Sequence, residues 1–108
     1  MKRGDIVTVA VSGDYGKPRP AVVIQSDWLD RTDSVLVCLV TSVVRDAPLY
    51  RLAVPVSRST GLRSSSQIMM DKIMAVRREK CGPRIGRLDE ATLRALNRRL
   101  GFIIGIAD

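Results

Sequence analysis

The residue types able to do chemistry in this chain are defined first by one that is missing: its 108 residues include no histidine. Without imidazole there is no Ser-His-Asp triad, no Cys-His pair, no imidazole metal site and no acid-base pair of histidines. The two cysteines, Cys38 and Cys81, stand 43 positions apart, too few for a four-thiolate zinc site or for the disulfide framework of a small secreted domain. Both read as reduced thiols of a cytoplasmic protein, and Cys38, inside an aliphatic run, reads as a small buried hydrophobe. What remains is cationic chemistry. Lys and Arg total 18 against 11 Asp and Glu, a net charge of +7, and the stretch 57–87 holds Arg58, Arg63, Lys72, Arg77, Arg78, Lys80, Arg84 and Arg87 against Asp71 and Glu79. Guanidinium groups stay charged and donate bidentately to phosphate, so such a surface favours a polyanion, nucleic acid being the commonest, or else serves only solubility. The aromatics are Tyr15, Trp28, Tyr50 and Phe102, too few for a broad base-stacking platform.

The elements that position these groups fall into two textures. Length and an ordinary 45% hydrophobic, 27% charged composition predict one globular domain over residues 1–108. Alternating or β-branched runs predict strands at 6–11, 21–25, 35–40, 50–56 and 66–70, with a short sixth at 73–76. Turn signals recur at the spacing of a small antiparallel sheet or partly open barrel. Past Gly82 and Pro83 the period becomes helical. Asp89 is a candidate N-cap, Leu88 and Leu93 form a hydrophobic staple, and Leu93, Leu96, Leu100 and Ile103 share one face, with Gly101 a candidate stop. Gly4 and Asp5 are expected to set the entry to the first strand. The N-terminus has no apolar signal region, and the longest uncharged run, 34–44, falls short of the roughly 20 residues a spanning helix needs. These features predict a cytoplasmic protein without membrane attachment.

Five fragments occur in a characteristic order: RGDIV at 3–7, RPAVVI at 19–24, a strand ending VTS at 40–42, DKI at 71–73 and IGRLDEATL at 85–93. Together they span nearly the whole chain, and the chain resembles the MazF/PemK toxins of type II toxin-antitoxin modules. The resemblance implies a mainly β fold with α (α+β), a small partly open antiparallel SH3-like barrel with a C-terminal helix, working as a homodimer. It implies a metal-independent, cofactor-free endoribonuclease that cuts single-stranded RNA at short sequences. In that chemistry the ribose 2′-hydroxyl attacks the adjacent phosphorus, leaving a 2′,3′-cyclic phosphate and a 5′-hydroxyl.

By the same resemblance Arg19 matches the catalytic arginine, and Pro18 and Pro20 on either side of it restrict the backbone that presents it. Thr41 matches the catalytic threonine, with Ser42 an accessory donor. Tyr15 and Lys17 in the first loop, with Gln67, Asp71 and Lys72 further on, are the remaining candidates for RNA contact. Plasmid-type members add a loop His and a strand Arg. This chain has neither, Met69 standing at the Arg position, so Asp71 reads as an RNA-contacting or structural residue and no general base is assigned. The implied partners are single-stranded RNA and a cognate MazE/PemI-like antitoxin with an acidic C-terminal segment. Two other readings belong to different classes. A gyrase-poisoning toxin of the CcdB type shares the implied fold, but this chain ends Ile104-Gly105-Ile106-Ala107-Asp108, without the Trp-Gly-Ile ending of that family. A noncatalytic RNA-binding barrel would show salt-dependent binding without scission.

Overall fold

The computed structural model describes residues 1–11 and 17–107, so Tyr15 lies outside the described residues. The described chain runs β1 (Asp5–Ala10), β2 (Pro18–Val23), β3 (Ser34–Thr41), β4 (Arg51–Val54), β5 (Ser66–Arg77), a single 3-10 turn at Arg78–Lys80, β6 (Cys81–Arg87) and α1 (Glu90–Ile103). The strands form one six-stranded antiparallel sheet in the order β4-β5-β3-β2-β1-β6.

Three features depart from the sequence pattern. The segments at 66–70 and 73–76 are one twelve-residue strand, β5. Gly82 and Pro83 lie inside β6 rather than marking the end of the sheet. β6 is an edge strand, where a missing N–H and a missing side chain are tolerated. Gly82 also fits because a Cβ there would stand 2.2 Å from the Thr8 hydroxyl oxygen on β1. Finally, α1 continues through Gly101 to Ile103, as its apolar phase does, and the chain leaves the helix with positive φ at Gly105.

Alternation sorts the strands into two apolar clusters. Ile6, Val22, Cys38, Val40, Ile68 and Met70 belong to one, which Leu88 and Leu96 complete, with Leu93, Leu100 and Ile103 packed against it. Val7, Val9, Ala21, Val23, Val35, Val37 and Val76 make the second. Asp89 caps α1 as expected, its carboxylate accepting the Thr92 amide at 2.7 Å, a bond that holds the Asp89 carboxyl below its ordinary range. Gly4 takes φ +92°, and the Asp5 carboxylate beside it is buried. That carboxylate accepts from the Lys2 amide at 2.8 Å and from Arg87 Nη1 at 3.0 Å, tying the start of β1 to the end of β6.

Candidate active site

Strand register brings the separated site residues together. β2 pairs with β3 through Val23↔Val37, Val22↔Cys38 and Ala21↔Leu39, and the ladder stops next to Pro20, which has no N–H to give it. Thr41 is paired with Gln67 on β5, and Gln67 with Ala53 on β4. Directly opposed residues share a face of a sheet, so Thr41 and Gln67 lie on one face, and strand alternation from the pair Ala21↔Leu39 puts Arg19 on that same face of β2, beyond the last paired residue. Pro18 and Pro20 are themselves strand residues, in the part of β2 that is paired with β1 alone, at Ala10↔Pro18 and Thr8↔Pro20. Arg19 is exposed, Thr41 and Gln67 are half-buried, and Ser42 follows Thr41 into solvent.

The Thr41 hydroxyl is oriented. Its Oγ1 accepts the Val43 amide at 3.1 Å. A hydroxyl has one hydrogen and two acceptor positions, so among the described residues its hydrogen is left for a ligand. The Gln67 side chain is held more fully: Oε1 accepts from the Arg45 amide at 3.1 Å and from Arg51 Nη1 at 3.0 Å, while Nε2 donates to the Arg45 carbonyl at 2.9 Å. Gln67 thus fastens the segment after Thr41 to the sheet and keeps one further Nε2 hydrogen beyond those bonds. Beside it is an open hollow of about 220 Å³, lined by Arg45, Pro48, Arg51, Ala53 and Gln67 among others.

Asp71 and Lys72 sit differently. Between the pairs Cys38↔Ile73 and Val40↔Ile68, Leu39 of β3 faces residues 69–72 of β5, a large bulge. The freed backbone is partly taken up by β4, the Met70 amide donating to the Tyr50 carbonyl at 2.9 Å. Both side chains are turned to solvent there. Lys17 is exposed two residues before Arg19.

The basic stretch 57–87 is not one open cationic face. Arg87 pairs with buried Asp5, Arg77 lies 3.2 Å from Glu79, and Arg78 donates to the carbonyls of Thr32 and Leu29, bracing the loop before β3. Cys38 is fully buried, and its thiol is pushed up to about 12 by burial, with Arg3 pulling it down and Asp71 adding to the rise. A thiol so protonated at neutral pH is no nucleophile. Among the described residues no three His, Cys, Asp or Glu side chains come together as a metal site, and no helix is long and apolar enough to cross a membrane.

Residues 2–104 match the family model of the PemK-like, MazF-like toxin of type II toxin-antitoxin systems. The chain belongs to this toxin family. A relative described as a probable endoribonuclease MazF, from Mycolicibacterium smegmatis (strain ATCC 700084 / mc(2)155), is 44% identical over 108 residues, 99% of each chain. Among solved structures, a mycobacterial endoribonuclease in complex with its cognate antitoxin superposes with a TM-score of 0.82 at 18% identity, covering 100% of this chain and 98% of that one. The Mycobacterium tuberculosis toxin MazF-mt6 gives 0.81 at 21%, covering 96% and 98%. A MazE-MazF crystal structure from Deinococcus radiodurans gives 0.77 at 18%, covering 99% and 98%. These structures share the fold, so the open sheet with its C-terminal helix is the PemK/MazF toxin fold. The sequence does not single out Arg51, whose Nη1 bonds the Val43 carbonyl and the Gln67 side-chain oxygen beside Thr41. Arg51 carries no local signal, since an arginine in a short edge strand is ordinary until the register brings it to Gln67.

Proposed function

We propose that this toxin is an endoribonuclease that cuts single-stranded RNA at short sequences without a metal, by attack of the ribose 2′-hydroxyl on the adjacent phosphorus. The products are a 2′,3′-cyclic phosphate and a 5′-hydroxyl, and the consequence in the cytoplasm is inhibited translation and growth. The observation that supports the reading is the antiparallel pairing of β2 with β3, which puts exposed Arg19 and half-buried Thr41 on one face of neighbouring strands. RNA brings its own nucleophile, so the protein's task is to hold the attack in line and stabilise charge on the phosphoryl oxygens. Arg19 supplies a permanent charge and a planar fork for those oxygens, and Thr41 supplies an oriented O–H donor. Ser42, Lys17 and the remaining Nε2 hydrogen of Gln67 are the RNA contacts beside them, with Asp71 and Lys72 as contacts further out and Tyr15, outside the described residues, a further candidate by sequence alone. The working unit is a homodimer, restrained by a MazE/PemI-like antitoxin whose acidic, partly disordered segment gains order on this basic protein.

The test is incubation of the protein and Arg19→Ala with a long unstructured transcript in EDTA, mapping cut sites and end chemistry. Discrete cuts bearing 5′-hydroxyl ends, lost with Arg19→Ala by about 10²-fold or more while the fold and oligomeric state persist, are the expected result. Intact RNA across several sequences, or full activity of a folded Arg19→Ala, refutes the assignment.

A further inference from the structure

We infer that Arg51 is a positioning residue for the cleavage step, acting on the Thr41 hydroxyl through the backbone of Val43. The inference rests on the endoribonuclease reading. Val43 is held at both ends. Its amide donates to Thr41 Oγ1 at 3.1 Å, and its carbonyl accepts from Arg51 Nη1 at 3.0 Å. The same Nη1 also donates to Gln67 Oε1 at 3.0 Å, and Gln67 holds both polar groups of the Arg45 backbone. One guanidinium on β4 therefore bonds the Val43 backbone directly and the Gln67 side chain that holds Arg45, and it does so from the same sheet face, since Arg51 is two residues from Ala53, the partner of Gln67.

Gln67 orders the segment at Arg45, but at Val43 the holds among the described residues are the Thr41 and Arg51 side chains. Val43 and Val44 are exposed, at 65% and 59%, so hydrophobic burial does not fix this backbone. If it moves, the Val43 amide leaves Thr41 Oγ1, and the hydroxyl is free to turn its hydrogen towards other acceptors. With the amide in place, one acceptor position of Oγ1 is filled and the O–H is confined to a narrower arc. Arg51 is half-buried, with its Nε buried and its Nη1 engaged by the Val43 carbonyl and the Gln67 side-chain oxygen, so part of the guanidinium is committed to its own chain while the residue also lines the open hollow.

A positioning role and a plain phosphate contact give different kinetics. A residue that acts only by orienting a transition-state donor lowers kcat and leaves KM nearly unchanged, and its effect disappears when that donor is removed. The experiment measures kcat and KM on a defined RNA oligonucleotide for the wild type, Arg51→Met, Arg51→Lys, Thr41→Val and the double variant Arg51→Met/Thr41→Val, with far-UV circular dichroism as the check on folding. Arg51→Met is expected to lower kcat about tenfold, equivalent to about 1.4 kcal/mol, with KM within about twofold. Arg51→Lys keeps the charge and one donor for the Val43 carbonyl, so it recovers part of that loss and gives a folded variant should the methionine be poorly tolerated. In the Thr41→Val background the Arg51→Met effect shrinks to about twofold or less.

Additive losses in the double variant, or a raised KM with unchanged kcat, overturn the positioning role and make Arg51 a structural or phosphate-binding residue. Cleavage that depends on Arg19 and Thr41 in that case leaves the endoribonuclease reading standing. If the wild type cuts no RNA, both fall together.

Discussion

Replacing Thr41 by valine separates the chemistry from the fold. Valine has nearly the shape of threonine, so the half-buried position keeps its packing and loses one oxygen. Among the described residues that oxygen makes one bond, the 3.1 Å contact from the Val43 amide. Val43 is 65% exposed, so water replaces the lost acceptor and the cost is under about 1 kcal/mol. A 108-residue domain at about 0.05–0.15 kcal/mol per residue has roughly 5–16 kcal/mol of stability, and the variant folds. The transition state loses more. One preorganised donor to a developing phosphoryl charge is worth about 10²–10³ in rate, about 2.7–4 kcal/mol. Thr41→Ser keeps the oxygen, the Val43 bond and the hydroxyl hydrogen, and retains most of the rate. The assay is single-turnover cleavage of a defined oligonucleotide with protein in excess, alongside urea melts of all three proteins. A Thr41→Val rate within about threefold of wild type, a difference below about 1 kcal/mol, refutes the donor role. So does a Thr41→Ser variant as slow as Thr41→Val.

Two further predictions concern the scaffold. Leu96 is the fully buried residue of α1, and Leu96→Ala should cost about 2–5 kcal/mol, lowering Tm by about 10–20 °C in a calorimetric scan. A shift below about 3 °C would mean the helix is not seated on the sheet as described. Cys38 ionises at about 12 in the folded protein against 9.0 for an unperturbed thiol, burial favouring the neutral form. The folded state therefore binds this proton more tightly, and its stabilising contribution, complete below pH 9, is lost as pH rises towards 12. The difference in unfolding free energy between wild type and Cys38→Ala should fall over that window; a flat difference would contradict the burial of the thiol.

Local pattern carried much of the fold. Alternation located β1, and apolar or β-branched runs located β3 and β4, within a few residues, and the Leu88-Asp89-Leu93 signature marked the start of α1, because caps and staples act within one turn. It failed where tertiary context outweighs propensity. Gly82 and Pro83 read as breakers, yet they lie in β6, where pairing to β1 through Val7↔Arg84 and Val9↔Cys81 sustains an irregular edge strand. The two short segments at 66–70 and 73–76 proved one strand, because a bulge absorbs the polar Asp71 and Lys72 without ending it. Arg78 and Arg87, counted among the cations available to a polyanion, are engaged within the protein.

By itself the sequence determined the chemistry available: no imidazole, a surplus of guanidinium, a hydroxyl at the end of an apolar strand, and ordered fragments that resemble the toxin family. Those are properties of residue type and order, which survive in the unfolded chain. Which residues meet was decided by register. Arg19 and Thr41 are 22 positions apart, and only the antiparallel pairing of β2 with β3 puts them on one face of neighbouring strands. The hold of Arg51 on Val43 was equally invisible. It depends on β4 adding to β5 at the sheet edge, a non-local pairing fixed by the burial of Ile68, Met70 and Val54, not by anything adjacent to Arg51 in the chain.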